Sequence, residues 1–178
     1  MLVAEFLAPF RNIGRLDLPD RFTEPLIALA DIVTRARSGV ARDRQTRDIL
    51  YLPEPEAPTR FAKQIAQLMA AAIAIGVSET EAWRLARKVG WDSVPAVRSA
   101  VIRLLARQEG IAIPYSDLEE RTGLPKTTVR RVVEDLVVLG LAEQRKEGDA
   151  ANARWLISES RLAADYWDRG ESPGENES

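Results

Sequence analysis

The chain has 178 residues, 46% of them apolar, with 25 Lys/Arg against 27 Asp/Glu and neither Cys nor His. That length and apolar share suit one ordinary domain or two small ones. The missing Cys and His exclude disulfides, thiolate nucleophiles, imidazole bases and most zinc or haem ligand sets.

No Gly-rich phosphate loop and no magnesium-type carboxylate cluster stands in the sequence, so catalytic residues, metal and cofactors are all expected to be none. The charge is uneven: residues 1–95 carry 13 Lys/Arg and 12 Asp/Glu, residues 96–158 carry 10 and 9, and residues 159–178 carry 2 and 6. With the acidity in the tail, the body attracts nucleic acid only through how its cations are arranged. Glu5 stands where a secretion signal needs a basic residue, and the longest apolar run, 68–77, is about half a bilayer span. A cytoplasmic protein without membrane contact is expected.

In chain order, residues 1–22 have no clear period. Thr23–Arg37 sets Leu26, Leu29, Ala30 and Val33 at helical spacing, with Pro25 in the first turn and Gly39 beyond the end. Residues 40–52 suit a short hairpin or arm. Its Arg42, Arg44 and Arg47, with Arg35 and Arg37 just before, could add a phosphate-binding arm, but the interleaved Asp31, Asp43 and Asp48 favour a solvated face. Pro53, Pro55 and Pro58 mark a loop. Thr59 is expected to cap a second helix with Phe61, Ile65, Leu68, Met69, Ala72 and Ile73 on one face and Gly76 at its end. Ser78 and Glu81 form a capping box for a third, with Ala82, Leu85, Ala86 and Val89 predicted inward. No flexible linker precedes residue 96, so these helices should pack on the C-terminal half of the chain.

Residues 96–109 place Val97, Val101, Leu104 and Leu105 on one helical face, and residues 111–114 are β-like. Ser116 to Glu119 reads as a capping box for a brief helix, and Gly123 permits a tight turn before Pro125 opens the next helix. In that helix Val129, Val132, Val133 and Leu136 form a buried stripe. Lys126, Thr127, Thr128, Arg130 and Arg131 crowd its N-terminal half. After Gly140, residues 141–145 and 154–158 are two strands around a polar turn, with Glu147 and Asp149 in it. Trp83, Trp91 and Trp155 are read as packing residues.

The order helix, strand, helix, turn, helix, hairpin resembles the winged helix-turn-helix domains of bacterial regulators such as the MarR and ArsR families. The resemblance covers about a third of the chain and implies contact with double-stranded DNA. Lys126, Thr127, Thr128, Arg130 and Arg131 would enter the groove, and Arg145, Lys146 and Arg154 would hold the backbone. Upstream, the proline-rich segment leading through Arg60 into Phe61 resembles the lid of some AAA+ ATPases, where an arginine near the helix start touches nucleotide. That likeness implies a nucleotide role for Arg60 only beside a partner ATPase core.

The expectation is therefore a mainly α protein that is not an enzyme. An N-terminal helical region (1–95), lid-like or serving association, packs on a C-terminal winged helix-turn-helix with a small β-hairpin wing (96–158). A short helix and a disordered acidic tail (159–178) complete the chain. The expected function is DNA binding, as a transcriptional regulator or the DNA-contacting part of an AAA+-related protein, with a homodimer or an ATPase core as possible partner. The alternative is a winged-helix protein-interaction module that does not touch DNA.

Overall fold

The computed structural model describes residues 18–51, 57–148 and 154–170, with side chains through Trp167. Among them are seven α-helices and two small antiparallel sheets. Helix α1 (Thr23–Arg37) buries Leu26, Leu29, Ala30, Ile32, Val33 and Ala36. That stripe is wide because α2 (Pro58–Ala74), α3 (Glu79–Asp92) and α7 (Arg161–Gly170) all lie against it. Between α1 and α2 runs a hairpin of β1 (Ala41–Arg42) and β2 (Ile49–Tyr51). Residues 52–56, with Pro53, Glu54, Pro55 and Glu56, lie outside the described residues.

Helix α2 begins at Pro58, with Ala57 as N-cap, so the expected cap by Thr59 is not made: Thr59 already lies inside the helix. Pro at the first helical position loses no hydrogen bond, because its missing N–H would be unpaired there anyway. Ser78 caps α3 as expected, with Glu81 N–H donating to Ser78 Oγ at 3.3 Å, while the Glu81 carboxylate takes the Ser78 hydroxyl at 3.1 Å and not its backbone N–H, so half of the box forms. The face of α3 differs from expectation. Ala82 and Ala86 are buried with Trp83, Gly90 and Trp91, whereas Leu85 and Val89 are exposed. Small residues at i, i+4 and i+8 let α3 lie close on α1, and a Cβ on Gly90 would sit 3.4 Å from Leu29 and Val33. Apolar size pointed to the wrong face because close approach, not bulk, orients this helix.

The C-terminal part runs α4 (Ala96–Ala106), β3 (Ile113–Pro114), α5 (Tyr115–Thr122), α6 (Lys126–Val138), β4 (Ala142–Glu147) and β5 (Arg154–Glu159). The three strands form a sheet in the order β3-β5-β4, with Ile113 opposite Ile157 and Lys146 opposite Trp155. Val101, Leu105, Leu118, Val129, Val133, Leu136, Leu141 and Ile157 fill the space between sheet and helices. Two local expectations fail. Helix α5 starts at Tyr115 after Pro114, so Ser116 lies within the first turn and caps nothing. In α4, Val97 is exposed and Arg98 is buried in its stead. The strands of the wing also extend one or two residues further than predicted, which puts Lys146 in β4 rather than in the turn.

Helix α6 ends as its sequence predicts. Gly140 takes φ 73°, a left-handed conformation that costs glycine little, and returns its N–H to Val137 O while Leu141 N–H reaches Leu136 O at 2.8 Å. Helix α7 then closes on α1. Tyr166 is 1% exposed and its hydroxyl accepts the Trp91 indole N–H at 3.0 Å, with Trp167 stacked on Trp91. The short C-terminal helix is thus present, while the acidic tail beyond residue 170 lies outside the described residues. One core runs from Phe22 to Tyr166 through both parts of the chain. The fold is mainly α: helices of the N-terminal half packed on a winged helix-turn-helix with its β-hairpin wing. Among the described residues no helix is long and apolar enough to cross a membrane.

Candidate nucleic-acid interface

The inner face of α6 is fixed by Val129, Val132, Val133 and Leu136, all buried. Lys126, Thr127, Arg130 and Arg131 are consequently exposed, and Thr128 is half-buried at the edge. Residues four apart share a flank of a helix. Lys126 and Arg130 line an open cleft of about 320 Å³ toward the wing, together with Tyr115, Glu119, Arg154 and Trp155. Thr127, Thr128 and Arg131 line a hollow of about 370 Å³ on the other flank, beside Val97 and Arg98. Arg130 and Arg131, adjacent in sequence, thus serve opposite sides of the exposed ridge.

The next turn of α6 carries Glu134 and Asp135, charges that would repel a phosphate. Both are occupied. Arg98 Nη2 donates to Asp135 Oδ2 at 2.9 Å, and its Nη1 reaches the carbonyls of Ala36 and Ser38 at the end of α1. Arg42 of β1 donates to Asp135 Oδ1 at 2.6 Å, to Glu134 Oε2 at 3.1 Å and to the Arg131 carbonyl at 3.4 Å. Burial works most strongly against the Arg42 charge, but hydrogen bonds and attraction to Asp135 and Glu134 outweigh it and hold its pKa above the ordinary arginine value. The reading of Arg42 as part of a solvated face is therefore wrong: its side chain is 13% exposed and is an anchor. No local signal in the sequence announces it, because its acidic partners are more than ninety residues away.

On the wing, Arg145, Lys146 and Arg154 are all exposed, Arg154 at 3.7 Å from Glu147 across the hairpin. An exposed pair of that kind is weak and leaves the Arg154 charge available to a phosphate. Asp149 lies outside the described residues. Trp83 and Trp91 pack in the core as expected, but Trp155 is 44% exposed on the wing. Sequence reasoning did not place it in the cleft that Lys126 and Arg130 line. The signal was its place two residues from the loop between two strands, where one face of a hairpin is open to solvent. In the same cleft the Tyr115 hydroxyl is bonded to Gln144 Nε2 at 3.0 Å. Burial, followed by the charge of Glu134, raises its pKa against the opposing pull of Arg130. Of the remaining acids, Asp117 faces Arg121 in the next turn of α5. Arg60 sits exposed in the first turn of α2, a helix that packs chiefly on α1 and α3. Among the described residues no group of three acidic, His or Cys side chains is placed to hold a metal ion.

A three-stranded sheet, a helix-turn-helix whose second helix exposes Lys126, Arg130 and Arg131, and a hairpin beside it that exposes Arg145, Lys146 and Arg154 define a winged helix-turn-helix DNA-binding domain. Residues 99–146 match the model of the IclR helix-turn-helix domain. The match runs from α4 through α6 to Lys146 of the wing, and it is to a different family from the two that the sequence resembles. Comparison with curated proteins and with solved structures gives no match.

Proposed function

We propose that this chain is a transcription regulator that binds double-stranded DNA through α6 and the wing, with residues 96–158 as the DNA-binding unit. The observation that carries the reading is the separation of charge along α6. Lys126, Arg130 and Arg131 have no ion-pair partner among the described residues, while Glu134 and Asp135 are neutralised from behind by Arg42 and Arg98. The surface offered to a groove therefore carries three cations, whereas the helix as a whole, with Glu134 and Asp135, is only weakly positive.

In this reading Lys126 and Arg130 face base edges, Thr127 and Thr128 reach bases or phosphates, Arg131 takes a phosphate, and Arg145, Lys146 and Arg154 follow the backbone beside the wing. The N-terminal helices serve association, and two copies span half-sites about one helical turn apart. A strict monomer by light scattering, with and without duplex, removes that last part.

Fluorescence anisotropy with labelled duplex over a range of salt tests the interface. Arg130→Ala should cost roughly 1 to 3 kcal/mol on the preferred site and relax its sequence preference, whereas Arg131→Ala should weaken all sequences alike and shallow the salt slope by about one. The core is untouched in both. A folded double variant that binds duplex as tightly as the parent at every salt concentration would overturn the reading and leave the winged helix as a protein-interaction module.

A further inference from the structure

The β1–β2 hairpin has no task in DNA binding by α6 and the wing, yet it is fastened to the recognition helix. Nη1 of Arg42 donates to the Arg47 carbonyl at 2.9 Å and to Glu134 Oε2 at 3.1 Å, while its Nη2 takes Asp135 and the Arg131 carbonyl. One guanidinium therefore ties the tip of the hairpin to the C-terminal half of α6. Within the tip, Asp43 N–H donates to Asp48 O at 2.8 Å, and the Asp43 carboxylate accepts the N–H groups of Gln45 and Thr46 at 2.7 and 2.8 Å. Those bonds hold the Asp43 carboxyl below the usual carboxylate range and turn its charge into the loop. Arg44 and Arg47 are exposed and have no ion-pair partner among the described residues. Arg47 is moreover held at φ 68°, a conformation that a non-glycine residue adopts rarely.

The position matters as much as the charge. The wing borders the Lys126 and Arg130 flank of α6, and the hairpin borders the opposite side near Arg131. A helix that enters the major groove by its N-terminal half rises toward the phosphate backbone along its C-terminal half, which is where the hairpin stands. We propose that the β1–β2 hairpin is a second wing, in which Arg44 and Arg47 hold phosphates flanking the bases met by α6. Arg42, itself not a DNA contact, is the positioning residue that stations the tip there. This rests on the DNA-binding reading of α6, and the ligand it commits to is the duplex backbone.

Arg44→Gln with Arg47→Gln removes both charges and leaves the backbone bonds of the tip in place, so the thermal midpoint should not move. Each lost phosphate contact lowers the slope of log affinity on log salt by about 0.9, so the pair should shallow it by nearly two. Between about 50 and 200 mM salt the advantage of the parent should shrink roughly tenfold, by the same amount on unrelated duplexes. If Arg131→Ala with Lys146→Ala reduces the slope while the hairpin variant keeps it, the hairpin is a bystander and only this proposal falls. A parent protein with no salt-dependent affinity for duplex overturns this proposal and the DNA reading together.

Discussion

Asp135 is the residue on which the two halves of the chain meet. It is 8% exposed, yet it satisfies Arg98 from α4 and Arg42 from β1 at once. Removing one member of a buried ionic set strands the others without compensation, and this dominates over any gain from the smaller side chain. Asp135→Ala should therefore destabilise the fold by about 3 kcal/mol, near the lower end for a broken buried pair because Arg98 keeps the carbonyls of Ala36 and Ser38. Asp135→Asn, which preserves shape and one acceptor, should cost less. Urea denaturation checks both; equal stability of Asp135→Ala and the parent would mean that the cluster contributes nothing. The same residue explains why net charge was a poor guide to the interface: an acid turned inward onto arginines is invisible to a ligand outside.

At the level of the element, α6 depends on how it stops. Four backbone carbonyls at a helix end lack partners, and Gly140 supplies the left-handed turn that brings Gly140 and Leu141 N–H groups back to Val137 and Leu136. No atom stands within 4 Å of where a Cβ on Gly140 would be, so the cost of Gly140→Ala is one of backbone conformation and not of collision. Its expected size is about 1 kcal/mol, read as a lower thermal midpoint with the DNA affinity at low temperature retained. A loss of DNA binding without a loss of stability would show that the exit of α6 sets the aim of the wing. The wing has its own logic: Leu156 and Ile157 bury into the sheet while Trp155, one residue earlier, stays open beside Lys146.

Across the whole molecule, the winged helix is not self-sufficient. Its Arg98 is satisfied partly by α1, its Asp135 partly by β1, and α4 lies against α7, whose Tyr166 is bonded to Trp91 of α3. A piece of roughly 60 residues buries too little surface to be more than marginally stable. The isolated segment 96–158 should thus melt well below the full chain, whereas the full chain should unfold in a single transition because one core crosses both parts. Circular dichroism on both proteins checks this, and a fragment with the midpoint of the full chain would show that the N-terminal helices and α7 are appendages.

The sequence by itself determined the helices, their order and those ends that a glycine sets. The 3.6-residue spacing of Leu29 and Val33 or of Val129, Val132 and Leu136 is a local property, and Gly123 and Gly140 mark stops through their own φ angles. It likewise placed Lys126, Arg130 and Arg131 outside, because a helix with one buried stripe leaves only one face for charge. The tertiary structure alone decided which face of α3 turns inward, that Arg42 and Arg98 are buried anchors, that Trp155 is exposed and that a hairpin stands beside α6. Each of these depends on a neighbour remote along the chain: Arg98 meets an acid 37 residues on and Arg42 one 93 residues on. No periodicity or cap within a short window carries information over such distances, since the energy that selects those positions exists only once the helices have met.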